Sequence, residues 1–590
     1  MRGAWARPAL VALYGIASVA FCSPLFAHPT ALGVFDWDQH LFYYGAVLKN
    51  VVEYGQMPFW NPWYCGGNVL WQNPQIALLS PVYPLTAVMP LALAMKVNIL
   101  LHYWAGFIGM HLLLARGIGV RSRPVVVFLA TIFVASGAPA IHFMAGHSVF
   151  LPAFYLPWVL YFFLRSLATR TLHGALLAGV AIALMVYNGG THILPMAIAA
   201  VVMLAAATAV MRRQWRPLLV GTVCCVAGLA YSAPKLVPVA SFVTSTEFWD
   251  TRPPIASPDR TTLEMLERVY LDPHQIRGAR LPEQRHGWHE YGNYIGEFAA
   301  LLIVASWWWT LTARGTPGWS VGLPFAITTL AFFVWSLGDF SRLSPAALAS
   351  HLPLFSSFRI PSRYSIAFVL CATATVGFAV RALGLDALAS RRARVFVALV
   401  CIAGSAQLIA RNRVFLANVF SQPPLTATFT PFGGPTQLIT DAESNAYQEG
   451  SPMLTALMND TSFYHCYESL QVRHTATPDQ PLVLSDGNAT VSAITFSPNR
   501  IAFDVVGGNE PARLSLNQNY ARGWRTDAGD FTPTAAAMPG VTLAAGQTGT
   551  FAFWFVPEGL WAGLGILIAA LATSCYLLRA GRPLVTDQAE

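Results

Sequence analysis

The chain has few charged residues: 11% of its 590 residues are Asp, Glu, Lys or Arg, whereas 55% are hydrophobic. Soluble globular domains carry about 25% charged residues, so this composition excludes an ordinary soluble protein. Hydrophobic runs of about twenty residues, the length that crosses a bilayer as a helix, recur along the chain. The sequence therefore predicts an α-helical polytopic membrane protein.

Several chemical motifs are also missing. No Walker sequence is present, and no Gly-x-Gly-x-x-Gly follows a strand pattern, which argues against nucleotide-driven chemistry. No Cys/His spacing matches a zinc site. Of eight cysteines, only Cys65 and Cys466 fall in segments expected outside the cytoplasm, where a disulfide between them is allowed. The net charge of +8 comes from loop arginines and not from a basic stripe on a soluble domain, so we expect no nucleic-acid partner.

Basic residues orient the predicted spans. We place about twelve transmembrane helices near 8–27, 96–115, 124–144, 148–166, 173–190, 193–211, 217–240, 294–312, 319–337, 364–382, 394–411 and 557–578. Arginines gather in alternate connections, which is typical of loops on the cytoplasmic side. This pattern predicts a multi-pass protein of the cytoplasmic (inner) membrane with both termini in the cytoplasm, and a first span retained as a signal anchor.

Three large segments then face outward. The first is the loop 28–95, whose apolar latter half is broken by three prolines and predicts short interfacial helices rather than a span. The second is the polar loop 241–293. The third, 412–556, alternates apolar and polar residues between turn residues and predicts an extracytoplasmic β-sandwich. The predicted division is a membrane domain 1–411, the β-sandwich 412–556, and a last span with a tail, 557–590.

Two carboxylates open the first outer loop, in the run Asp36-Trp37-Asp38-Gln39-His40. Carboxylates at a bilayer surface can act as a general base or bind a metal. The alternative is that Asp36 and Asp38 only cap a helix that begins near Gln39.

Three segments resemble a known family. They are the first loop (Asp36-Trp-Asp-Gln-His, then Gly55-Gln-Met-Pro-Phe-Trp-Asn-Pro, Gly66-Gly-Asn and Ser80-Pro-Val-Tyr-Pro-Leu), the segment Leu337-Gly-Asp to Phe-Arg-Ile-Pro-Ser-Arg-Tyr364, and Leu514-Ser-Leu-Asn-Gln-Asn-Tyr-Ala-Arg-Gly-Trp524. In this order they resemble the YfhO-like bacterial membrane proteins of the GT-C superfamily of glycosyltransferases. The resemblance implies a GT-C-like membrane domain. It also implies sugar transfer from a polyprenyl-phosphate donor to an acceptor outside the cytoplasmic membrane, a cell-envelope glycan or polymer.

The resemblance also implies roles for the acidic pair. Enzymes of this superfamily place a carboxylate base just beyond the first span, and Asp38 fits that position best, with Asp36 as second choice. Direct attack by the acceptor would invert the anomeric carbon. Gln39 stands where some relatives have a second acid, which departs from a two-carboxylate metal site; a divalent metal, if one binds, would rest on Asp36 and Asp38.

The leaving phosphate calls for cations. Arg359 and Arg363 are four residues apart, just before a predicted span, and each can bind a phosphate through a planar fork. The alternative is that they pair with Asp339 or with lipid headgroups. Arg252 and Lys235 are further candidates, although Lys235 can also simply snorkel.

Further candidates lie at the predicted outer ends of spans. They are His147, His192, Tyr294 and Glu297, each of which can contact substrate or serve only as a structural hydrogen-bonding group. If Glu297 is buried, it needs a partner such as an arginine. Trp60 and Trp63 can stack on sugar rings, but an interfacial aromatic belt explains tryptophans equally well.

Two other functional classes stay open. A transporter or flippase of lipid-linked glycans usually shows internal repeats and a mid-bilayer charge, and no clear repeat is present. A non-catalytic envelope-assembly protein on the same scaffold is the other alternative. Membrane lipid is an expected partner in every case.

Overall fold

The computed structural model describes residues 6–245, 259–274, 278–282, 284–313, 319–352, 358, 360–425, 439–440, 451–459, 462–463, 476–477, 480–534 and 538–580. Helices make up most of the described chain. In chain order they are α1 (Ala6–Cys22), α2 (Trp37–Leu48), α3 (Leu91–His111), α4 (Arg123–Val134), α5 (Gly137–Met144), α6 (Leu156–Thr169), α7 (His173–Tyr187), α8 (Ile193–Arg212), α9 (Arg216–Tyr231), α10 (Ala233–Val243), α11 (Leu263–Leu271), α12 (Glu297–Thr312), α13 (Trp319–Ser336), α14 (Pro345–Ser350), α15 (Ser365–Ala382), α16 (Arg391–Asn412), α17 (Pro452–Met458) and α18 (Leu560–Ala580).

Many of these helices can cross a membrane. Within the described residues, eight helical segments are long and apolar enough, and a ninth results if α9 and α10, which meet at a bend of 79°, form one span. The predicted spans 173–190, 294–312 and 319–337 coincide with the shorter apolar helices His173–Tyr187, Glu297–Thr312 and Gly322–Ser336. The chain is thus an integral membrane protein, as predicted, whereas the number twelve stays a prediction.

The first loop, residues 27–90 between α1 and α3, is packed rather than extended. It contains α2, a turn of π-helix at Lys49–Glu53, the short strands β2 (Trp60–Asn61) and β3 (Asn68–Val69), and a 3₁₀ turn at Tyr83–Ala87. The prolines between residues 76 and 95 restrict helix in this part to that one turn before α3 begins at Leu91. Strand β1 (Leu32–Gly33) pairs antiparallel with β4 (Phe420–Gln422) and so joins the loop to the chain beyond α16.

A β-sheet region precedes the last helix. One sheet has the strand order β12-β10-β7, and the other has β11-β13-β9-β8. Their strands are β7 (Val483–Asp486), β8 (Thr490–Ser497), β9 (Arg500–Val506), β10 (Ala512–Leu516), β11 (Trp524–Thr526), β12 (Gly540–Leu543) and β13 (Gly549–Phe555). Every second side chain of β9 is buried, and side chains from both sheets share one apolar core. We call 480–556 the β-sheet domain; its sandwich form and exact limits stay predictions. The short strands β5 (Ile439–Thr440) and β6 (Ser462–Phe463) pair in parallel with each other.

The first loop is bound to the β-sheet domain by buried polar contacts. The side-chain amide of Asn519 donates to the carbonyl oxygens of Cys65 and Gly67, and the Trp60 indole donates to Gln518. The Trp60 ring lies 5.0 Å from Trp524, centroid to centroid. Two of the segments that carry the family resemblance therefore contact each other. Cys65 is disulfide-bonded, and Cys466, its proposed partner, lies outside the described residues.

Candidate active site

Polar side chains from five separate segments meet at one place beside the start of α2. Three of the seven are buried, the other four are partly buried, and apolar helices surround them. The members are Asp36, His142, His147, His192, His289, Glu290 and Arg363. We call this set the histidine cluster. Buried ionisable groups of both signs are costly unless they pair, so such a concentration marks a candidate site.

Asp36 joins the cluster through His147. Its Oδ2 lies 3.4 Å from Nε2 of His147, whose Nδ1 lies 3.0 Å from Nδ1 of His142. The other carboxylate oxygen of Asp36 is buried without a hydrogen-bond partner in the described part of the chain. A buried carboxylate oxygen without a donor is unfavourable unless a ligand or a proton satisfies it.

A glycine brings these two residues together. Gly146 has φ = +93°, and a Cβ atom there would lie 2.5 Å from the backbone nitrogen of Trp37. Only glycine allows both this backbone conformation and this approach. The segment before His147 can therefore lie directly against the backbone of Asp36.

Glu290 and Arg363 form the most tightly bound pair of the cluster. Arg363 donates from Nε to Oε2 at 2.7 Å and from Nη2 to Oε1 at 2.6 Å, a bidentate arrangement. Burial raises the pKa of Glu290, but the charges of Arg363 and of neighbouring histidines outweigh it and hold that pKa well below its usual range. Glu290 is therefore a carboxylate at neutral pH.

His192 provides the third hydrogen-bond contact of Arg363. Burial and the Arg363 charge hold the pKa of His192 well below its ordinary value, so the ring is neutral. Its Nε2 then accepts a hydrogen bond from Nη1 of Arg363 at 2.9 Å. A guanidinium has five N–H donors, and these three contacts leave two of them without a partner among the described residues.

Phe150 orients the rings around this pair. It is fully buried and stacks on His142 with centroids 3.7 Å apart and planes 1° apart. It also stacks on His192 at 5.5 Å, and the guanidinium carbon of Arg363 lies 5.3 Å from its centroid. These contacts hold both imidazoles in defined orientations.

Asn293 connects the segments that carry the cluster. Its Oδ1 accepts from the backbone of Ala138 in α5 at 3.1 Å, and its Nδ2 donates to Ser365, at the start of α15, at 3.3 Å. Gly137 approaches the backbone nitrogen of Tyr294 so closely that a Cβ would lie 2.5 Å from it. The helix that bears His142, the turn that bears Glu290 and the segment that bears Arg363 are thereby fixed to one another.

Three members of the cluster can share a metal ion. One ligand atom each from His142, His147 and Glu290 lies within 4.8 Å of the others. If Nδ1 of His147 faces a metal, Nε2 faces Asp36, and a carboxylate behind a ligating histidine is the usual way to orient it. Arg363 weakens the fit, because it already binds both oxygens of Glu290. Imidazole and carboxylate donors together suit a divalent transition metal.

Asp38, expected as the base, has another set of contacts. Its two oxygens accept from the backbone amides of Met453 at 2.9 Å and Leu454 at 3.1 Å, at the start of α17. Burial raises the pKa of Asp38 to about 6, although these two hydrogen bonds lower it. The alternative that this pair only caps α2 is wrong, since Asp36, the N-cap residue of α2, makes no side-chain hydrogen bond to the start of that helix. Asp38 instead caps α17.

The tryptophans and Lys235 do not line the cluster. Trp60 lies in the core of the β-sheet domain, and Trp63 is 1% exposed. Lys235 is buried beside the α9–α10 bend, where its Nζ donates to the carbonyls of Trp71 at 2.6 Å and Asn73 at 2.8 Å. Its contacts are those of a structural clamp on the first loop, so its predicted phosphate role finds no support in them.

Tyr294 and Glu297 also lie apart from the cluster contacts. Tyr294 is buried, and its backbone oxygen accepts from Gly137 at 3.0 Å. Glu297 is exposed in the first turn of α12, so it has no need of the buried partner that we expected. Arg252 and Arg359, two of the predicted phosphate ligands, lie outside the described residues.

The sequence did not single out Glu290 or His289. They lie in Gly287-Trp288-His289-Glu290-Tyr291, inside the polar loop 241–293. The signal available was an acidic residue flanked directly by a histidine and a tyrosine. His142 can be recognised in the sequence as a histidine near the end of an apolar run, but nothing in the sequence shows that it contacts His147.

Comparisons with known proteins give structural likenesses only. No protein-family model matches the chain, and no curated protein matches its sequence. The chain is similar to the arabinofuranosyltransferase AftD from Mycobacteria, with a TM-score of 0.46 and 17% identity over 79% of this chain and 32% of AftD. It is also similar to the oligosaccharyltransferase of Archaeoglobus fulgidus, with a TM-score of 0.46 and 11% identity over 80% of this chain and 66% of that one.

The chain therefore spans about a third of the length of the mycobacterial protein and just under two thirds of the archaeal one. Both neighbours are, by name, enzymes that transfer glycosyl groups. At these TM-scores the likenesses assign no role to any residue of this chain, and the YfhO-like resemblance stays a prediction.

Proposed function

We propose that the chain is a membrane glycosyltransferase of the GT-C type. It moves one sugar from a polyprenyl-phosphate donor, such as undecaprenyl phosphate, to a cell-envelope glycan or polymer at the outer face of the cytoplasmic membrane. The observation that carries the proposal is the histidine cluster. It combines a carboxylate with an unused oxygen, a neutral histidine and an arginine with two unused N–H groups, all beside membrane helices.

Asp36 is the base in this proposal, in place of Asp38. The acceptor hydroxyl attacks the anomeric carbon, the new C–O bond forms, and the bond from that carbon to the phosphate oxygen breaks. The hydroxyl proton passes to the free oxygen of Asp36, and the polyprenyl phosphate leaves as an anion. Direct displacement inverts the anomeric carbon. Asp38 is unsuited to this step, because two backbone amides already occupy its oxygens.

Arg363 contacts the leaving phosphate. Glu290 and His192 fix the plane of its guanidinium, which directs the two remaining N–H groups. A pre-oriented guanidinium stabilises charge that develops on a phosphate without having to reorganise during the reaction. A divalent cation held by His142, His147 and Glu290 would add Lewis-acid stabilisation of the same charge.

The first experiment measures transfer from a radiolabelled polyprenyl-phosphate sugar by the purified full-length chain. We expect Asp36→Asn to lose activity by about 10²–10⁴-fold, the usual contribution of a general base. Asp486→Asn, an exposed aspartate of the β-sheet domain, is the matched control and keeps full activity. Full activity in Asp36→Asn rejects Asp36 as the base, and a product with retained anomeric configuration rejects direct displacement.

A second experiment tests the cation. Elemental analysis of the purified protein measures bound metal before and after dialysis against Mn²⁺ or Zn²⁺. We expect about one ion per chain in the wild type, loss in His142→Ala and His147→Ala, and retention in His274→Ala, an exposed histidine in a polar loop. Equal metal content in all four proteins rejects the metal site while leaving the role of Asp36 to the transfer assay.

A further inference from the structure

A candidate binding site contains no residue of the histidine cluster in its wall. A cavity of about 690 Å³ opens between the C-terminal half of α2, the start of α3 and helix α17. This volume falls in the range of about 300–1,000 Å³ that is typical of small-molecule sites. Helix α17, which forms one wall, is the helix that Asp38 caps.

The wall of this cavity is almost wholly apolar. Leucines contribute from three sides, among them Leu48 of α2, Leu91 of α3 and Leu457 of α17. The charged residues of the wall are Lys49 and Glu53, which pair with each other at 3.4 Å. A cavity with such a wall favours a hydrocarbon and offers a polar molecule few hydrogen bonds.

The position of the cavity makes membrane lipid accessible to it. Leu91 and Ala92 in its wall begin the candidate span Leu91–Ile118, and Pro90 directly precedes it, so the cavity lies at one end of a candidate membrane-crossing helix. Val52 in its wall is 68% exposed, and Val88, two residues before Pro90, is 76% exposed. Exposed apolar residues around such an opening are stable in contact with lipid and costly in contact with water.

We infer that this cavity binds one acyl chain of a bilayer phospholipid. At about 30 Å³ per water-sized group, 690 Å³ holds on the order of twenty such groups. A methylene group has a similar volume, so the cavity matches a single acyl chain and is much too small for an undecaprenyl chain. The bound chain would fill the space between α2, α3 and α17 and stabilise their packing. The inference does not depend on glycosyl transfer.

The test uses the full-length chain in nanodiscs made with phosphatidylglycerol that carries a photoreactive diazirine on one acyl chain. After illumination, mass spectrometry locates the labelled peptides. We expect label on residues 45–53 or 452–458 in the wild type and about a tenfold reduction in Ala92→Phe, which fills the cavity. Ala206→Phe, on an exposed face of α8, is the matched control and keeps the label.

Other outcomes overturn the inference. Label confined to exposed faces of membrane helices, or equal label in Ala92→Phe and the wild type, means that no acyl chain enters. Loss of label on adding undecaprenyl phosphate assigns the cavity to that lipid instead. If the melting temperature shows that Ala92→Phe does not fold, Thr30→Phe at the exposed rim replaces it, with the same expected loss of label.

Discussion

At the scale of single residues, the acidic pair divides its roles in a way that the sequence could not reveal. Asp36 and Asp38 are two positions apart, and at 3.6 residues per turn such side chains point about 200° apart around a helix. One therefore faces the histidine cluster and the other faces α17. The pattern of the first loop indicated that the pair matters, but only the position of α17, more than four hundred residues later, decides which member is free.

Removal of the Asp38 carboxylate should destabilise the protein. Asp38→Ala leaves the buried amides of Met453 and Leu454 without acceptors, and the loss of such a cap costs about 1–3 kcal/mol. The thermal unfolding midpoint in detergent measures the effect. The exposed Asp486→Ala is the control and should leave it unchanged. An unchanged midpoint in Asp38→Ala would contradict the cap.

The same residue predicts a pH dependence. Burial raises the pKa of Asp38 from its ordinary value of 3.8 to about 6, so between these values the folded protein binds a proton that the unfolded chain does not. The contribution of this group to stability therefore rises as pH falls from about 6 to about 4 and is constant above that window. As the pH falls through this range, the unfolding midpoint of the wild type should therefore rise relative to that of Asp38→Asn. A difference that is independent of pH would contradict the raised pKa.

Gly146 offers a test of the geometry of the site. Gly146→Ala places a methyl group 2.5 Å from the backbone of Trp37 and strains a residue at φ = +93°. We expect transfer activity to fall by at least about tenfold, since a displacement of about 1 Å in a catalytic site can cost that much or more. Gly55→Ala is the matched control, because it shares a positive φ but meets nothing within 4 Å. Equal losses in both variants would assign the effect to backbone strain alone.

At the scale of elements, the segments with the strongest sequence signal turn out to bind each other. The Trp60 region and the Asn517-Gln518-Asn519 run form the contact between the first loop and the β-sheet domain. Trp60 is buried by this contact, which makes it unavailable to a sugar. Alternation of apolar residues predicted the strands, but the pairing of two motifs that are distant in sequence requires knowledge of the folded chain.

Asn519 tests this contact between elements. Asn519→Ala removes the donor to the carbonyls of Cys65 and Gly67, and each hydrogen bond lost costs about 0.5–1.5 kcal/mol. We expect limited proteolysis to release the β-sheet domain faster than in the wild type. Asn488→Ala, in an exposed turn of the same domain, should not change the rate. Equal rates in all three proteins would show that Asn519 does not hold the interface.

At the scale of the whole molecule, the local sequence pattern predicted the membrane helices well but did not predict the contacts between distant segments. Runs of apolar residues placed α8 and α16 within a few residues of their bounds, because a helix that crosses a bilayer needs only its own sequence. The histidine cluster draws on the start of α2, on α5 and the turn after it, on the start of α8, on the turn at 288–290 and on the segment before α15. Glu290 and His142 could not be linked from sequence, since nothing local in either segment specifies the other.

The orientation in the membrane is a property of the complete chain and can be measured directly. The arginines of alternate connections predict that the connection between α15 and α16 faces the cytoplasm and that the β-sheet domain faces outward. We expect a membrane-impermeant maleimide, added to intact cells, to label Asp486→Cys but not Ala389→Cys; both positions are exposed. The background should be Cys575→Ser, since Cys575 is an exposed free thiol. Labelling of both positions by the added maleimide would place them on the same side of the membrane, with an even number of crossings between residues 389 and 486. That result would contradict the arginine pattern, which predicts opposite sides, and would require the last spans to be reassigned.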